Sequence, residues 1–113
     1  MVTIPERTFK FSVKIVELVS KLPRSSAGLA ISNQIVRSGT SIGANVEEAQ
    51  NSGSKKEFIH GMTIALKEAR ETYYWLRLIE ESGILRELSG LKIENVEIIK
   101  ILTSSVKKAK KRL

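Results

Sequence analysis

The sequence SKKEFIHGMTIALKEARETYYWLRLIEES, Ser54–Ser82, is an uninterrupted helical pattern of 29 residues. Its first four residues fit a capping box, in which the Ser54 hydroxyl accepts a first-turn N–H and Glu57 reaches back to residue 54. Gly83 stands where a left-handed residue would end the helix. At ~1.5 Å per residue this rod is roughly 43 Å long. In a chain of 113 residues the other segments must lie along it. Phe58, Met62, Ala65, Ala69, Tyr73 and Leu76 share its buried face. Ile64, Trp75 and Leu78 project roughly opposite, among Lys67, Glu68 and Glu71. An apolar group with a Trp on a second face is either a subunit contact or a seat for another helix of the same chain. Glu68, Glu71, Arg70 and Arg77 read as ion pairs on the surface of this helix.

Upstream, Pro5 suits a first helical turn, because its missing N–H costs nothing there. The segment 5–22 carries Phe9, Phe11, Val13, Ile15, Val16, Leu18, Val19 and Leu22. At 100° per residue these cover about 220° of the circumference, twice the stripe of an ordinary surface helix. Such a helix touches more than one neighbour, so Phe9, Val13 and Val16 are candidate oligomer contacts with Ile64, Trp75 and Leu78. Lys10, Lys14 and Lys21 lie with Glu17 on the polar arc left over, a basic stripe or a solvated face. Pro23 ends this helix, and Ser25 or Ser26 caps the next, over about 27–51. Ile31, Ile35, Ser38, Ile42, Val46 and Ala49 keep helical phase across a middle of small residues, Ser38 to Ala44. Small side chains there let another backbone approach closely. A phosphate-binding Gly loop is excluded, since no Gly-Lys-Ser/Thr and no preceding strand is present. After Gly83, Ile84, Leu85 and Leu88 pin a short connector. Ser89 or Gly90 opens a fourth helix, 91–110, with Leu91, Ile98, Leu102, Val106 and Ala109 on its main stripe. Four amphipathic helices joined by short turns predict an all-α, antiparallel up-down four-helix bundle filling residues 1–113 as one domain.

Nineteen Lys and Arg stand against twelve Glu, with no Asp and no Cys, for a net charge of +7. Five of those cations, Lys107, Lys108, Lys110, Lys111 and Arg112, fall in the basic tail 107–113; the rest of the chain carries only +2. Such a block suits nucleic acid or another acidic surface. It equally suits a solubilising helix end whose cations complement the C-terminal dipole. The N-terminus MVTIPERTF lacks the layout of a secretory signal, and no apolar run approaches the ~18 residues of a membrane span. A cytoplasmic protein with no membrane contact is expected.

Without Asp or Cys, most triads and metal clusters are excluded. His60 is the only histidine. It lies off the main apolar stripe, and the Glu57–His60 spacing of a di-metal bundle occurs once rather than on paired helices. Neither an enzyme, nor a cofactor, nor a metal site is expected.

The run Ser41-Ile42-Gly43-Ala44-Asn45-Val46-Glu47-Glu48-Ala49 resembles a pattern of the four-helix bundle proteins associated with 23S rRNA intervening sequences, Ser-Ile-Pro-x-Asn-Ile/Val-x-Glu-Gly. Ser54-Lys55-Lys56-Glu57-Phe58-Ile59 and Ile64-Ala65-Leu66 also look like that family. Gly43 stands where Pro is common and Ala49 where Gly is common; the usual Trp-containing N-terminal start is absent. The resemblance implies a four-helix bundle assembling as a homopentamer, and it carries over no catalytic residue. The family is also similar to the accessory protein of diversity-generating retroelements, a basic pentameric bundle that binds nucleic acid and a reverse transcriptase. Ser41, Asn45 and Glu48 are the motif positions, expected to be hydrogen-bonded polar groups at a tight helix contact.

The reading is therefore a non-enzymatic homo-oligomer binding RNA or DNA phosphates through Lys107, Lys108, Lys110, Lys111 and Arg112, with Lys10, Lys14 and Lys21 as a second patch. The competing reading is a protein-interaction module for a partner such as a reverse-transcriptase-like protein, using Ile64, Trp75 and Leu78.

Overall fold

The computed structural model describes residues 2–112. Among them are four helices and no strand: α1 (Ile4–Val19), α2 (Ser26–Gln50), α3 (Lys55–Glu81) and α4 (Ser89–Lys111). None of these helices is long and apolar enough to cross a membrane. Leu113, the last residue of the basic tail, lies outside the described residues.

Local signals account for most of the ends. Ser54 accepts the Glu57 N–H at 3.1 Å, and Ser25 accepts that of Gly28 at 3.1 Å. Thr3, which has a weaker sequence signature than Pro5, caps α1 by accepting the Glu6 N–H at 3.3 Å. At the far end of α3, Gly83 takes a left-handed φ of 78°. Its N–H reaches the Glu80 carbonyl at 3.1 Å, and Ile84 N–H reaches that of Ile79 at 3.2 Å. Those two bonds satisfy carbonyls that the helix end would leave bare.

Two boundaries differ from expectation. α1 stops at Val19, not Leu22, because the chain tightens: Lys21 N–H bonds the Leu18 carbonyl at 2.9 Å and Leu22 N–H that of Val19 at 3.1 Å. Lys21 therefore sits beyond the helix, and Pro23 follows a turn already closed. α4 starts at Ser89 with Leu88 in the capping position and no side-chain cap bond. Leu88 is only 2% exposed, so burial of its side chain fixes this end in place of a cap.

Each helix packs on two others, α1 on α2, α2 on α3, α3 on α4 and α4 on α1. The molecule measures 47 × 22 × 21 Å, and its long axis is about the length of α3. Phe11, Ile15, Ile35, Ile42, Met62, Leu76, Ile98 and Leu102 are completely or almost completely buried between the helices. The small middle of α2 faces α1: a Cβ built on Gly39 would lie 2.8 Å from Ile15 Cγ2, and one on Gly43 would lie 3.2 Å from the Thr8 carbonyl oxygen. Contact with α3 is equally close, since a Cβ on Gly61 would lie 3.0 Å from that of Ala49.

Polar contacts cross the same seams. The Ser38 and Thr72 hydroxyls lie 2.9 Å apart, fully buried between α2 and α3. Arg7 clasps both oxygens of Glu94, at 2.7 and 2.9 Å, joining α1 to α4. Lys92 donates to Glu80 at 2.6 Å, joining α4 to α3. These hydrogen bonds raise the proton affinity of Arg7 and Lys92 above their ordinary values, against the smaller opposing effect of desolvation. Glu68 and Glu71 do not pair along α3 as expected. Both meet Arg37 of α2, Glu68 at 2.9 Å. Cross-helix proximity outcompetes the local neighbours, because Arg37 reaches both carboxylates from one position.

Asn95 is the polar residue that the apolar stripe of α4 skips. It is fully buried; its Nδ2 donates to the Ala69 carbonyl at 3.0 Å, while its Oδ1 has no partner. A buried acceptor left unpaired costs about 1–3 kcal/mol, against about 1 kcal/mol gained from the bond its amide makes.

These contacts set three stability expectations, measured by urea denaturation at one fixed protein concentration. Gly39→Ala gains about 1 kcal/mol of helix propensity but overpacks Ile15 by about 1–3 kcal/mol, so it lowers stability. Gly90→Ala meets nothing within 4 Å and raises stability by up to about 1 kcal/mol. Asn95→Leu, similar in size and without the orphaned oxygen, leaves stability unchanged or raises it by about 1 kcal/mol.

Candidate nucleic-acid interface

Glu97 is the last carboxylate side chain in the sequence; from Ile98 to the end there are six cations and no Glu. α4 stays helical through Lys111, with Arg112 as its C-cap, so the tail extends the helix. Lys108, Lys110 and Lys111 occupy its last turn, where the helix dipole favours positive charge. Lys107, Lys108 and Lys111 border a cleft of about 490 Å³ together with Lys100, Thr103 and Ser104. Lys55, the first residue of α3, donates to the Arg112 carbonyl at 3.4 Å. The start of α3 therefore meets the end of α4, and Lys55 joins the cationic tip.

Lys55 and Lys100 are the members of this surface that sequence reading misses. Lys55 is distant in sequence and reads only as part of a cap. Lys100 carries a usable signal, for it stands seven residues before Lys107 on the same helical face.

Lys10, Lys14 and Lys21 are all exposed along α1 and the turn after it. They do not join the tail. Lys14 and Lys21 border a cleft of about 290 Å³ with Glu17, Glu87, Leu88 and Leu91, at the start of α4. The 16 residues from Leu91 to Lys107 span about 24 Å of helix. Lys10 and Lys14 border a second small cleft with Arg7 and its partner Glu94. Carboxylates thus interleave with this patch, whereas none borders the cleft of Lys107, Lys108 and Lys111; Glu97 shares a neighbouring cleft with Lys100.

Of the apolar candidates, Phe9, Val13 and Val16 are 59%, 43% and 53% exposed, at helical spacings of four and three on the outer side of α1. Ile64 is half-buried. Trp75 is half-buried against the core, and its Nε1 donates to Glu71 at 3.0 Å. Its ring meets Tyr74 edge-on, with centroids 5.1 Å apart. Leu78 is partly exposed, as is Tyr74.

A cleft of about 570 Å³ lies between the end of α2 and the start of α3 and is bordered by Asn45, Glu48, Lys56, Glu57, His60 and Ile64 among others. Of the motif residues, Ser41 donates to the Arg37 carbonyl at 2.6 Å and Asn45 to that of Ser41 at 2.8 Å. Both bonds stay within α2, and Glu48 is exposed, so the expected cross-helix polar contact is made by Ser38 and Thr72 instead. His60 is exposed. Among the described residues no group of three or more His, Cys, Asp or Glu could hold a metal ion.

No curated protein matches the chain. A solved structure from Bacteroides thetaiotaomicron, a protein with unknown function from the S23 ribosomal protein family, is 41% identical and superposes with a TM-score of 0.86. The match covers 93% of this chain and 99% of that one. Residues 2–104 match the family described as 23S rRNA-intervening sequence protein. A match over nearly the whole bundle, with the same fold at that identity, makes the chain a member of the 23S rRNA-intervening sequence protein family.

Proposed function

We propose that the protein is a non-enzymatic, cytoplasmic bundle that assembles as a ring of five copies and binds RNA or DNA through its phosphates. The observation that carries the reading is the cationic end of α4, six positive side chains with no carboxylate among them, joined by Lys55. Neutralising phosphates releases condensed counterions, which gives affinity without base recognition. No recognised base-reading motif appears in the sequence, so the reading rests on phosphate contacts and predicts no sequence specificity.

An up-down course of the helices underlies this arrangement. In its favour, Thr8 and Ile15 of α1 meet Gly43 and Gly39 of α2, the numbers rising on one helix as they fall on the other. Gly61 with Ala49 and Thr72 with Ser38 follow the same order between α3 and α2. The exposed stripe of Phe9, Val13 and Val16 supports assembly, since covering such side chains is favourable by about 1.5–3 kcal/mol for each one fully buried. A closed ring of five requires a heterologous contact, the stripe of one copy meeting a different surface of the next. Five copies at +7 would carry +35, concentrating weak cationic tips on one particle.

A second reading is a protein-interaction module for a partner such as a reverse-transcriptase-like protein; exposed Tyr74 and Leu78 beside Trp75 favour it.

Replacing Lys107, Lys108, Lys110, Lys111 and Arg112 by Gln should weaken RNA binding in fluorescence anisotropy. The log–log salt slope should become shallower by about 0.7–0.9 for each phosphate that is no longer neutralised. Unchanged affinity and slope would remove the tail from the interface. Size-exclusion chromatography with light scattering should return a pentamer-sized species that shifts with RNA at low salt and less at high salt. A folded monomer of 12.6 kDa at micromolar concentration contradicts the ring. An oligomer indifferent to RNA transfers the reading to a protein partner.

A further inference from the structure

We infer that the ligand class of the α4 cationic face is double-stranded nucleic acid, gripped by the phosphates of a preformed duplex; this rests on the nucleic-acid reading above. Lys100, Lys107 and Lys111 recur at i, i+7 and i+11, so they form one row along the helix, with Ser104 between them. Their spacings along the axis are about 10 and 6 Å. All three are exposed, and the helix beneath them is regular to Lys111, so the row is in place before any ligand arrives. The hydroxyl of Thr103 beside the row is already spent on the Ile99 carbonyl at 2.7 Å, which leaves its oxygen as an acceptor.

What the cleft along this row offers a phosphate is its cations and the Ser104 hydroxyl, with no aromatic ring bordering it; Tyr73 and Glu97 share a separate cleft with Lys100 at the start of the row. Phe9, Phe11, Phe58, Tyr73, Tyr74 and Trp75 are the chain's six aromatic residues, and none lies between Ile98 and Leu113. Single-strand binders combine a basic groove with aromatic platforms, because stacking offsets the cost of ordering a flexible strand. Along Lys107 and Lys111, where no ring borders the cleft, a single strand must be ordered by phosphate contacts alone. A duplex is already ordered, and its charge density is higher, about one charge per 1.7 Å of axis against about one per 3.4 Å along each strand. Each contact also releases more counterion from a duplex, about 0.9 against about 0.7. The regular helix that spaces the row and the preformed order of a duplex favour the same partner.

The test is competition anisotropy with the full chain. It compares an unstructured strand of about 20 nucleotides with the duplex formed by that strand and its complement, at equal phosphate and two salt concentrations, in separate RNA and DNA arms. The duplex should bind at least about fivefold tighter per phosphate, with a slope nearer 0.9 than 0.7 per contact. Preference for the duplex in either arm supports the inference and identifies the sugar. The K100Q/K107Q/K111Q variant should lose at least about tenfold in duplex affinity, and K100R/K107R/K111R should retain it, with helicity and particle size unchanged in both. A single strand bound as tightly as the duplex overturns the inference and leaves nucleic-acid binding intact. Binding of neither overturns both. Wild-type duplex binding by the Gln variant removes this row from the site.

Discussion

How closely α2 can be approached from two sides governs the rest of the bundle. Gly39 and Gly43 bring α1 onto it, with Ile15 against the bare Cα of Gly39. On the other side Ala49 meets Gly61, and Ser38 meets Thr72. Helix propensity opposes two glycines in mid-helix by about 1 kcal/mol each. Packing outweighs that preference, because most helix stability in a folded protein comes from the buried face. Widening either seam would withdraw Ile15, Ile42 and Val46 from one another, and the core is built around them.

The charged contacts have a different role. Arg7 with Glu94, Lys92 with Glu80, and Arg37 with Glu68 and Glu71 each join neighbouring helices. Their side chains are partly solvated, so they contribute little to stability beside the core. Their geometry marks which helix lies beside which. Because Glu80 raises Lys92, the contribution of that pair is complete below the ordinary value of 10.5 and is lost only as pH rises through the higher folded value. Neutral pH leaves Lys92 charged.

Helix existence was legible in the sequence because it depends on local periodicity and caps, as at Ser54 and Gly83. The close approach at Gly39 and Gly43 was legible for the same reason, since small residues in phase with an apolar stripe have few other uses. Features set by long-range contact were not. Asn95 is polar and so drops out of any apolar stripe, yet its amide bonds a carbonyl 26 positions away. Arg37 takes carboxylates that local spacing assigned to Arg70 and Arg77. Leu88 holds a helix start through burial, which leaves no capping signature. At the cationic tip, Lys107 to Arg112 announced themselves as a run, whereas Lys55 joins them only because two helix ends meet.

The α2–α3 seam at Ala49 bears on how this chain departs from its relatives. Glycine is common in the resembling pattern where Ala49 stands, so this chain carries one methyl more on α2. The residue opposite on α3 is Gly61, where an added Cβ would fall 3.0 Å from that methyl. At that level the seam holds one methyl group, supplied by α2, and a second would crowd it. An alanine at position 61 of this chain would therefore have to move α3 away from α2 by a few tenths of an ångström at that level.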